Sequence, residues 1–230
     1  MSLKNKIILL AGSTGAIAIS ITQMLLKESA TVIIPAKSAN DLLWIKEVGE
    51  ISGHGSVVTM LTDYPDFYKA VEIINDITER FGKIDLSIVC FESPGTGTAL
   101  SQLAITDWER MIEQNLTAFF VAARLSLNTI EKHHTGMFIS VDFTTHTVQR
   151  APGKLARLSR CMQKEMAKIL FEETRDTHMR YYHLFVDPGD SKTLINCDHI
   201  QPDELGALIL DLYNGNTKGK EHLFRWMDNN

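Results

Sequence analysis

The segment Lys6–Ala18, which reads KIILLAGSTGAIA, decides how this chain folds. Its apolar start predicts a buried β-strand, and the small residues Gly12 and Gly15 follow directly. From Ile17 onwards, apolar residues recur at helical spacing and predict an α-helix. Glycine lets the backbone turn sharply off a strand, so a phosphate group can approach the N–H groups at the start of the following helix. The segment therefore predicts a nucleotide-binding turn.

The composition is that of a soluble globular protein. The 230 residues are 44% hydrophobic and 22% charged, and their net charge is −5. This acidic balance argues against a nucleic-acid or anionic membrane partner, and no apolar run approaches the length of a membrane helix. Three widely spaced cysteines suggest no disulfide framework and favour a cytoplasmic setting. We expect residues 1–230 to form a single domain.

Short apolar runs alternate with helical patterns from one end of the chain to the other. Seven strands are predicted, near Lys6–Leu10, Thr31–Ile34, Ser56–Met60, Leu86–Phe91, Met137–Val141, Tyr181–Val186 and His222–Trp226. Six helices are predicted, near Ala16–Lys27, Asn40–Val48, Asp66–Phe81, Trp108–Ile130, Leu155–Glu173 and Pro202–Tyr213. Such alternation indicates right-handed βαβ units. The predicted fold is α/β: a Rossmann-like, doubly wound, parallel seven-stranded sheet with helices on both faces.

Two of these helices carry capping residues at their predicted starts. Asp66 precedes the third helical pattern, and its carboxylate is suited to accept backbone N–H groups. Thr106 stands three residues before Glu109, which is the spacing of a capping box.

Short motifs follow one another along the chain in a recognisable order. They are Gly12–Ala18, Leu61–Asp63, Glu79–Asp85, Asp107–Asn115, Gly136–Ile139 and Asp187–Thr193. In order and spacing they resemble the short-chain dehydrogenase/reductase family across essentially the whole chain. The first turn departs from the family's T-G-x-x-x-G-x-G because Ala16 and Ala18 replace the later glycines. Gly15 matches the spacing of the extended members instead.

The resemblance implies a nicotinamide dinucleotide at this turn. In the family pattern Asp63 holds the adenine amino group, and Pro188 with Gly189 closes over the nicotinamide. The residues expected to border the cofactor are Gly12, Thr14, Gly15, Ile17, Lys37, Ser38, Asp63, Cys90, Pro188 and Gly189. An acidic residue after the second strand would receive the ribose 2′-hydroxyl of NAD. This chain has Lys37 and Ser38 there, which favours NADP(H) over NAD(H), although exposed lysines are common at strand ends.

The family's acid–base residues are missing. Its chemistry uses a tyrosine as general acid/base, a lysine one helical turn later and a serine that polarises the substrate carbonyl. Counted without gaps from Gly136, Phe143 stands at the serine position, Ala156 at the tyrosine position and Arg160 at the lysine position. Of the family's catalytic positions only Asn115 keeps its residue type, that of the relay asparagine, and a purely structural role for its buried amide is the alternative.

A second register of the same segment gives the same loss. Anchored on the later Met-Ala pair, it places Gly153 and Arg157 at the tyrosine and lysine positions. In both registers the general acid/base is absent, and no tyrosine occurs between Tyr68 and Tyr181. His146 is a candidate replacement because imidazole exchanges protons near neutral pH.

The end of the fourth strand also departs from the family. Where the family has N-N-A-G, this chain has Val89–Glu92, which reads VCFE. The small polar residues of the family let the adenosine ribose lie against the strand end. We expect Phe91 or Glu92 to crowd that position, unless the side chains point away from it.

Three functions remain open. The first is an NADP-dependent oxidoreductase with a degenerate site, acting on a small-molecule carbonyl or alcohol through His146 or water. The second is a catalytically inactive nucleotide-binding protein, and the third is an interaction scaffold of the same fold. No metal site is expected, because Cys197–His199 has no second cluster of ligands. By analogy with the family, the helical stretches Leu116–Ile130 and Leu155–Leu170 predict a homodimer or homotetramer.

Overall fold

A computed structural model describes residues 3–12, 16–41, 43, 45, 47, 54–91, 98–134, 136–143, 153–186 and 202–216. Within them the strands are β1 (Ile7–Ala11), β2 (Thr31–Ala36), β3 (Ser56–Leu61), β4 (Leu86–Val89), β5 (Met137–Phe143) and β6 (Arg180–Val186). The helices are α1 (Ala16–Lys27), α2 (Phe67–Phe81), α3 (Ile105–Met111), α4 (Ala118–Lys132), α5 (Lys154–Thr174) and α6 (Pro202–Tyr213). A 3₁₀ turn spans Leu100–Gln102, and a π-helical segment at Ile112–Thr117 joins α3 to α4.

The six strands form one sheet in the order β3-β2-β1-β4-β5-β6. Every pair of neighbours is parallel, from β3 beside β2 to β5 beside β6. The doubly wound α/β fold is therefore confirmed. The seventh predicted strand, His222–Trp226, lies outside the described residues. Of the predicted second helix, residues 40, 41, 43, 45 and 47 are helical, and the helical conformation begins one residue earlier, at Ala39.

Alternate residues of the strands enter two separate cores. In β1, Ile8 and Leu10 belong to the core that also contains residues of α1 and α6. Ile7 and Leu9 face the opposite side, where α2 packs, and α4 and α5 complete that side against β4, β5 and β6. The strands read as continuous apolar runs because both faces of a parallel sheet are covered.

Helix starts agree with the sequence prediction at one place and disagree at another. The carboxylate of Asp66 accepts the backbone N–H groups of Tyr68 and Lys69, as predicted. Thr106, in contrast, caps nothing: α3 begins at Ile105, one residue before it, after Ala104. The capping box predicted from Thr106 and Glu109 is therefore wrong, because the chain is already helical at both positions.

The π-helical segment interrupts what the sequence predicts as one helix over Trp108–Ile130. Apolar periodicity continues through α3 and α4, so the pattern shows no break at this point. The fourth strand also ends at Val89, two residues before its predicted end. Both differences lie next to the crevice described below.

At the amino ends of the strands, one buried carboxylate ties β1 to β4. Asp85 accepts the backbone N–H of Ile7 at 3.0 Å and contacts the ammonium groups of Lys83 at 2.8 Å and Lys6 at 3.4 Å. Burial acts to raise the pKa of Asp85, but the Ile7 hydrogen bond and the two lysines outweigh it and hold that pKa below its usual value.

None of the helices in the described ranges is long and apolar enough to span a bilayer.

Candidate functional site

The sheet reverses its order of connection between β1 and β4. From β1 the chain proceeds outward through β2 to β3, and then returns by α2 to β4 on the other side of β1. A crevice opens at the carboxyl ends of the strands at such a switch point, and ligands of open α/β sheets bind there. Gly12 follows β1 at this place, and Phe91 follows β4. Gly12, the first residue of the predicted turn, therefore lies at the crevice.

Gly12 occupies a position that only glycine fits. Its φ is +103°, in the region that side chains rarely adopt. A Cβ atom built on it would lie 2.5 Å from the carbonyl oxygen of Cys90 and 2.7 Å from Cγ of Phe91. The close approach of β1 to β4, together with the ring of Phe91, therefore excludes any side chain here.

The ring of Phe91 lies against Gly12 and is supported from two directions. It packs edge-on against Tyr64, with ring centroids 5.5 Å apart. The backbone carbonyl of Phe91 accepts a hydrogen bond of 3.2 Å from the side-chain amide of Gln163 on α5. The ring of Phe91 thus lies beside Gly12 at the end of β4, while Glu92 lies outside the described residues.

A cavity of about 210 Å³ lies between the ends of these strands and the start of α4. Its lining residues are Gly12, Pro35, Ala36, Lys37, Asp41, Thr62, Asp63, Tyr64, Pro65, Phe91, Gln114 and Ala118. Pockets for drug-sized ligands usually measure about 300–1,000 Å³. Bounded by these residues, the space suits one ring system and its substituents.

Charged groups at this cavity are already engaged with one another. The ammonium group of Lys37 lies 3.3 Å from a carboxylate oxygen of Asp63, and both side chains are substantially exposed. The hydroxyl of Ser38 donates to the carboxylate of Asp41 at 2.6 Å and accepts the backbone N–H of Asp41 at 3.1 Å. Ser38 is therefore a helix cap in this structure, and Lys37 is the cation that lines the cavity.

Two buried hydroxyl groups in the cavity lining have no partner within the described part of the chain. They are Oγ1 of Thr62 and the phenol oxygen of Tyr64. Burial raises the pKa of Tyr64 well above its ordinary value, so the phenol stays protonated. Buried hydroxyls are normally hydrogen-bonded, and a pair without partners is a feature of sites that receive water or a ligand.

Asn115 lies in the π-helical segment, buried, close to the cavity lining. Its backbone carbonyl accepts the side-chain amide of Gln163 at 3.3 Å, the same amide that donates to Phe91. One glutamine on α5 therefore joins the end of β4 to the π segment. Single-turn π segments inside α-helices often occur at functional sites.

The amino-terminal half of α5 carries the positions of the missing acid–base residues. Ala156 and Ser159 are buried there, and Arg160 is half-buried, with its Nε atom inside the protein. Arg157, which the second register places at the lysine position, is exposed to solvent. The backbone of Phe143 ends β5, and nothing is described of its side chain.

Several predicted site residues fall elsewhere. The side chain of Cys90 is fully buried in the core beside α1, so only its backbone borders the crevice. The side chain of Ile17 is not described. Five further predicted residues lie outside the described residues: Thr14, Gly15, His146, Pro188 and Gly189.

Sequence reasoning missed four residues of this region: Thr62, Tyr64, Gln114 and Gln163. Thr62 and Tyr64 flank the predicted Asp63, and their position after a strand of a parallel sheet was a usable signal. Gln114 and Gln163 carried none, because each is a polar residue within a helical pattern.

The family model for short chain dehydrogenases matches residues 6–153 of this chain. The chain belongs to the short-chain dehydrogenase family. The match begins at the strand before Gly12 and ends at Gly153, where α5 is about to start. It therefore covers every residue that lines the cavity.

Similar proteins agree with this assignment. Glucose 1-dehydrogenase 2 of Bacillus subtilis is 24% identical over 202 residues, which are 85% of this chain and 76% of that protein. The crystal structure of a metagenomic short-chain oxidoreductase in complex with NADP is similar at a TM-score of 0.72 and 18% identity, covering 93% of this chain and 92% of that one. NAD⁺-bound xylitol dehydrogenase reaches a TM-score of 0.78 at 12% identity, covering 93% and 94%. At these identities the two structures establish the fold alone.

Proposed function

We propose that this chain is a nucleotide-binding short-chain dehydrogenase homologue, selective for NADP(H), whose catalytic site is degenerate. The observation that carries the proposal is the cavity at the switch point, bounded by Gly12 on one side and by Lys37 with Asp63 on the other. Two relatives of the same fold bind NADP and NAD⁺ respectively, as their crystal structures are described.

The adenosine half of such a cofactor fits the groups present. Asp63 offers a carboxylate to the adenine amino group, and the hydroxyls of Thr62 and Tyr64 lack partners among the described residues. A bound adenine with its hydrogen-bonding atoms would satisfy groups that are otherwise costly to bury. These residues would hold the base, and Gly12 would allow the backbone to approach the ligand.

Lys37 supports NADP(H) over NAD(H). It is the cation at the mouth of the cavity, and its side chain is 61% exposed, so it is able to turn from Asp63 toward a 2′-phosphate. An exposed ion pair such as Lys37 with Asp63 contributes only about 0–1 kcal/mol, and a dianionic phosphate is the stronger partner.

The catalytic half lacks the groups that the family's chemistry needs. When bound, NADP(H) supplies or accepts a hydride, and the protein must supply or accept a proton at the substrate oxygen. The methyl group of Ala156 has no proton to give, and the guanidinium group of Arg160 has no atom that accepts a hydrogen bond. Ala156 is buried and Arg160 half-buried, whereas Arg157 is exposed, and this supports the first of the two registers. We therefore expect no carbonyl reduction by the family's mechanism.

The oligomeric state remains a prediction. Phe120 on α4 and Met162 with Ile169 on α5 are exposed apolar side chains, and they support pairing through these two helices.

Fluorescence titration with NADPH and NADH tests the proposed ligand. We expect NADPH to bind more tightly than NADH. Lys37→Gln is expected to weaken the binding of NADPH about tenfold, because one charge-assisted contact is lost, and to leave the binding of NADH unchanged. Lys69→Gln is the matched control because Lys69 is 60% exposed and pairs with Asp66 at 3.1 Å, outside the cavity. If the two variants change NADPH affinity equally, Lys37 does not contact the phosphate. If neither nucleotide binds, the interaction scaffold is the function that remains.

Following NADPH oxidation with a panel of aldehydes and ketones tests the catalytic half. We expect NADPH oxidation to be no faster with the protein than in buffer alone. Turnover that His146→Ala abolishes would establish the divergent oxidoreductase instead.

A further inference from the structure

Two walls of the cavity come from distant parts of the chain. One is Phe91, which follows β4, and the other is Gln114, which belongs to the π segment before α4. In the described part of the chain, no residue of α5 lines the cavity. The separation of the two walls therefore depends on contacts behind them, where α5 packs against the π segment and the sheet.

The side-chain amide of Gln163 on α5 joins these two walls. Its Nε2 atom lies 3.2 Å from the carbonyl oxygen of Phe91 and 3.3 Å from that of Asn115, the residue after Gln114. Carbonyl oxygens only accept hydrogen bonds, so the group that faces them is the NH₂ group, with one N–H for each. Gln163 is 3% exposed, which places this bridge inside the protein.

The bridge depends on the donors of Gln163 and not on its volume. A methionine has a similar length but no donor, and an ionised glutamate would bring only acceptors to two carbonyl oxygens. The carbonyl of Asn115 also accepts the backbone N–H of Ala118 within its own helix. Gln163 therefore supplies the tertiary contact of that carbonyl, in addition to its helical one.

We propose that Gln163 is a positioning residue of the nucleotide site, which holds the end of β4 and the π segment at the separation that the adenosine half requires. The inference rests on the proposed function and deepens it, because part of the affinity comes from a side chain outside the cavity lining. Gln163 acts through the two walls, whereas Lys37 meets the 2′-phosphate. Losing the bridge therefore weakens NADPH and NADH by the same factor, while losing Lys37 changes their ratio.

Fluorescence titration of the Gln163→Met variant of the full chain tests this role. We expect both NADPH and NADH to bind about tenfold more weakly, with their affinity ratio unchanged within about twofold. Ser126→Ala is the matched control, because fully buried Ser126 on α4 bonds to Ser87 of β4 at 2.7 Å, and neither serine lines the cavity. This control also loses a buried hydrogen bond to the sheet, and we expect it to leave both affinities unchanged.

NMR of the unmodified protein labelled with nitrogen-15 gives a signature that a loss of stability does not produce. The two side-chain amide protons of Gln163 are assigned by their absence from the spectrum of Gln163→Met. We expect them to shift when adenosine 2′,5′-bisphosphate is added, because the carbonyls that they bond to belong to the walls around the ligand. The side-chain amide of Gln102, exposed in the 3₁₀ turn, is the internal control and is expected to stay in place.

Contrary outcomes separate the inference from the proposal on which it rests. If the unmodified protein binds NADPH and Gln163→Met binds it equally well, Gln163 has no positioning role and the proposed function stands. Equal weakening by Ser126→Ala, or amide protons of Gln163 that do not shift, would overturn the inference in the same way. If Gln163→Met fails to fold, Gln163→Asn repeats the comparison, because it keeps the amide but withdraws it by one methylene. If the unmodified protein binds neither nucleotide, the proposed function is overturned, and the inference with it.

Discussion

At the amino ends of the strands the buried carboxylate of Asp85 accepts one backbone N–H and contacts two lysines. At the carboxyl ends, the hydroxyls of Thr62 and Tyr64 are equally buried and bond to nothing that the structure describes. The carboxylate at one end of the sheet thus has its partners, while these two hydroxyls at the other end have none among the described residues. Buried hydroxyls without partners cost stability, and this supports the proposed ligand site at the carboxyl ends.

Gly12→Val is expected to have the largest effect, because it affects both the strand and the site. The variant places a branched side chain at a φ of +103° and against the Cys90 carbonyl. Backbone strain and overpacking together are expected to lower the free energy of unfolding by about 2–5 kcal/mol. Binding of NADPH is expected to fall at least about a hundredfold, measured by fluorescence titration below the melting temperature.

Gly82→Ala is the control for this variant. Gly82 also has a positive φ, of +82°, but nothing lies within 4 Å of its built Cβ. Gly82→Ala is therefore expected to lower the free energy of unfolding only through backbone strain, by about 1–2 kcal/mol, and to leave NADPH affinity unchanged. Full affinity in Gly12→Val would place the nucleotide elsewhere.

Asp85→Asn tests the hydrogen-bonded carboxylate at the amino ends of the strands. The amide keeps the shape but loses the charge, and hydrogen bonds to charged groups contribute about 1.5–3 kcal/mol. We expect a loss of that size in urea unfolding at neutral pH, with NADPH affinity unchanged. Asp76→Asn, which breaks the exposed pair with Arg80, is the control and is expected to cost less than about 1 kcal/mol.

The stability difference between the unmodified protein and Asp85→Asn is also expected to depend on pH. Because the pKa of Asp85 is lowered in the folded state, its stabilisation is present above the unfolded pKa, near 3.9. It is lost as the pH falls through the lower folded pKa. The stability difference between the unmodified protein and Asp85→Asn is therefore expected to shrink below about pH 4. A difference that stays constant in acid would mean that charge is not what Asp85 contributes.

Strand positions were predictable because each strand is a continuous apolar run, and burial on both faces needs little else. The glycine directly after the first strand was also predictable, since at Gly12 only glycine permits the close approach of β1 to β4. Helix boundaries in the middle of the chain were harder to predict from the sequence. Both α3 and the π segment contact α5, and the local pattern around Thr106 carries no record of that tertiary contact.

The candidate site was predictable by position but not by interaction. Lys37 and Asp63 were identified separately, yet their ion pair arises only when β2 and β3 lie side by side. The sequence left open whether Phe91 points toward the crevice, and the ring packs against Tyr64, which is distant in sequence. The hydrogen bonds from Gln163 to the carbonyls of Phe91 and Asn115 likewise join residues that are distant in sequence.

Tyr64→Phe is expected to have the smallest effect and an unusual sign. Tyr64 is 5% exposed and its hydroxyl has no partner in the described residues, so removing the oxygen is expected to raise the free energy of unfolding by about 1 kcal/mol. NADPH affinity is expected to fall severalfold. Tyr181→Phe is the matched control: Tyr181 is 7% exposed, and its hydroxyl lies 3.2 Å from that of Ser140, so its loss is expected to cost about 1 kcal/mol. If both variants lose stability equally, the hydroxyl of Tyr64 has a partner in the native protein. The carboxyl ends of the strands would then be as well satisfied as the amino ends, and these hydroxyls would no longer support a ligand site.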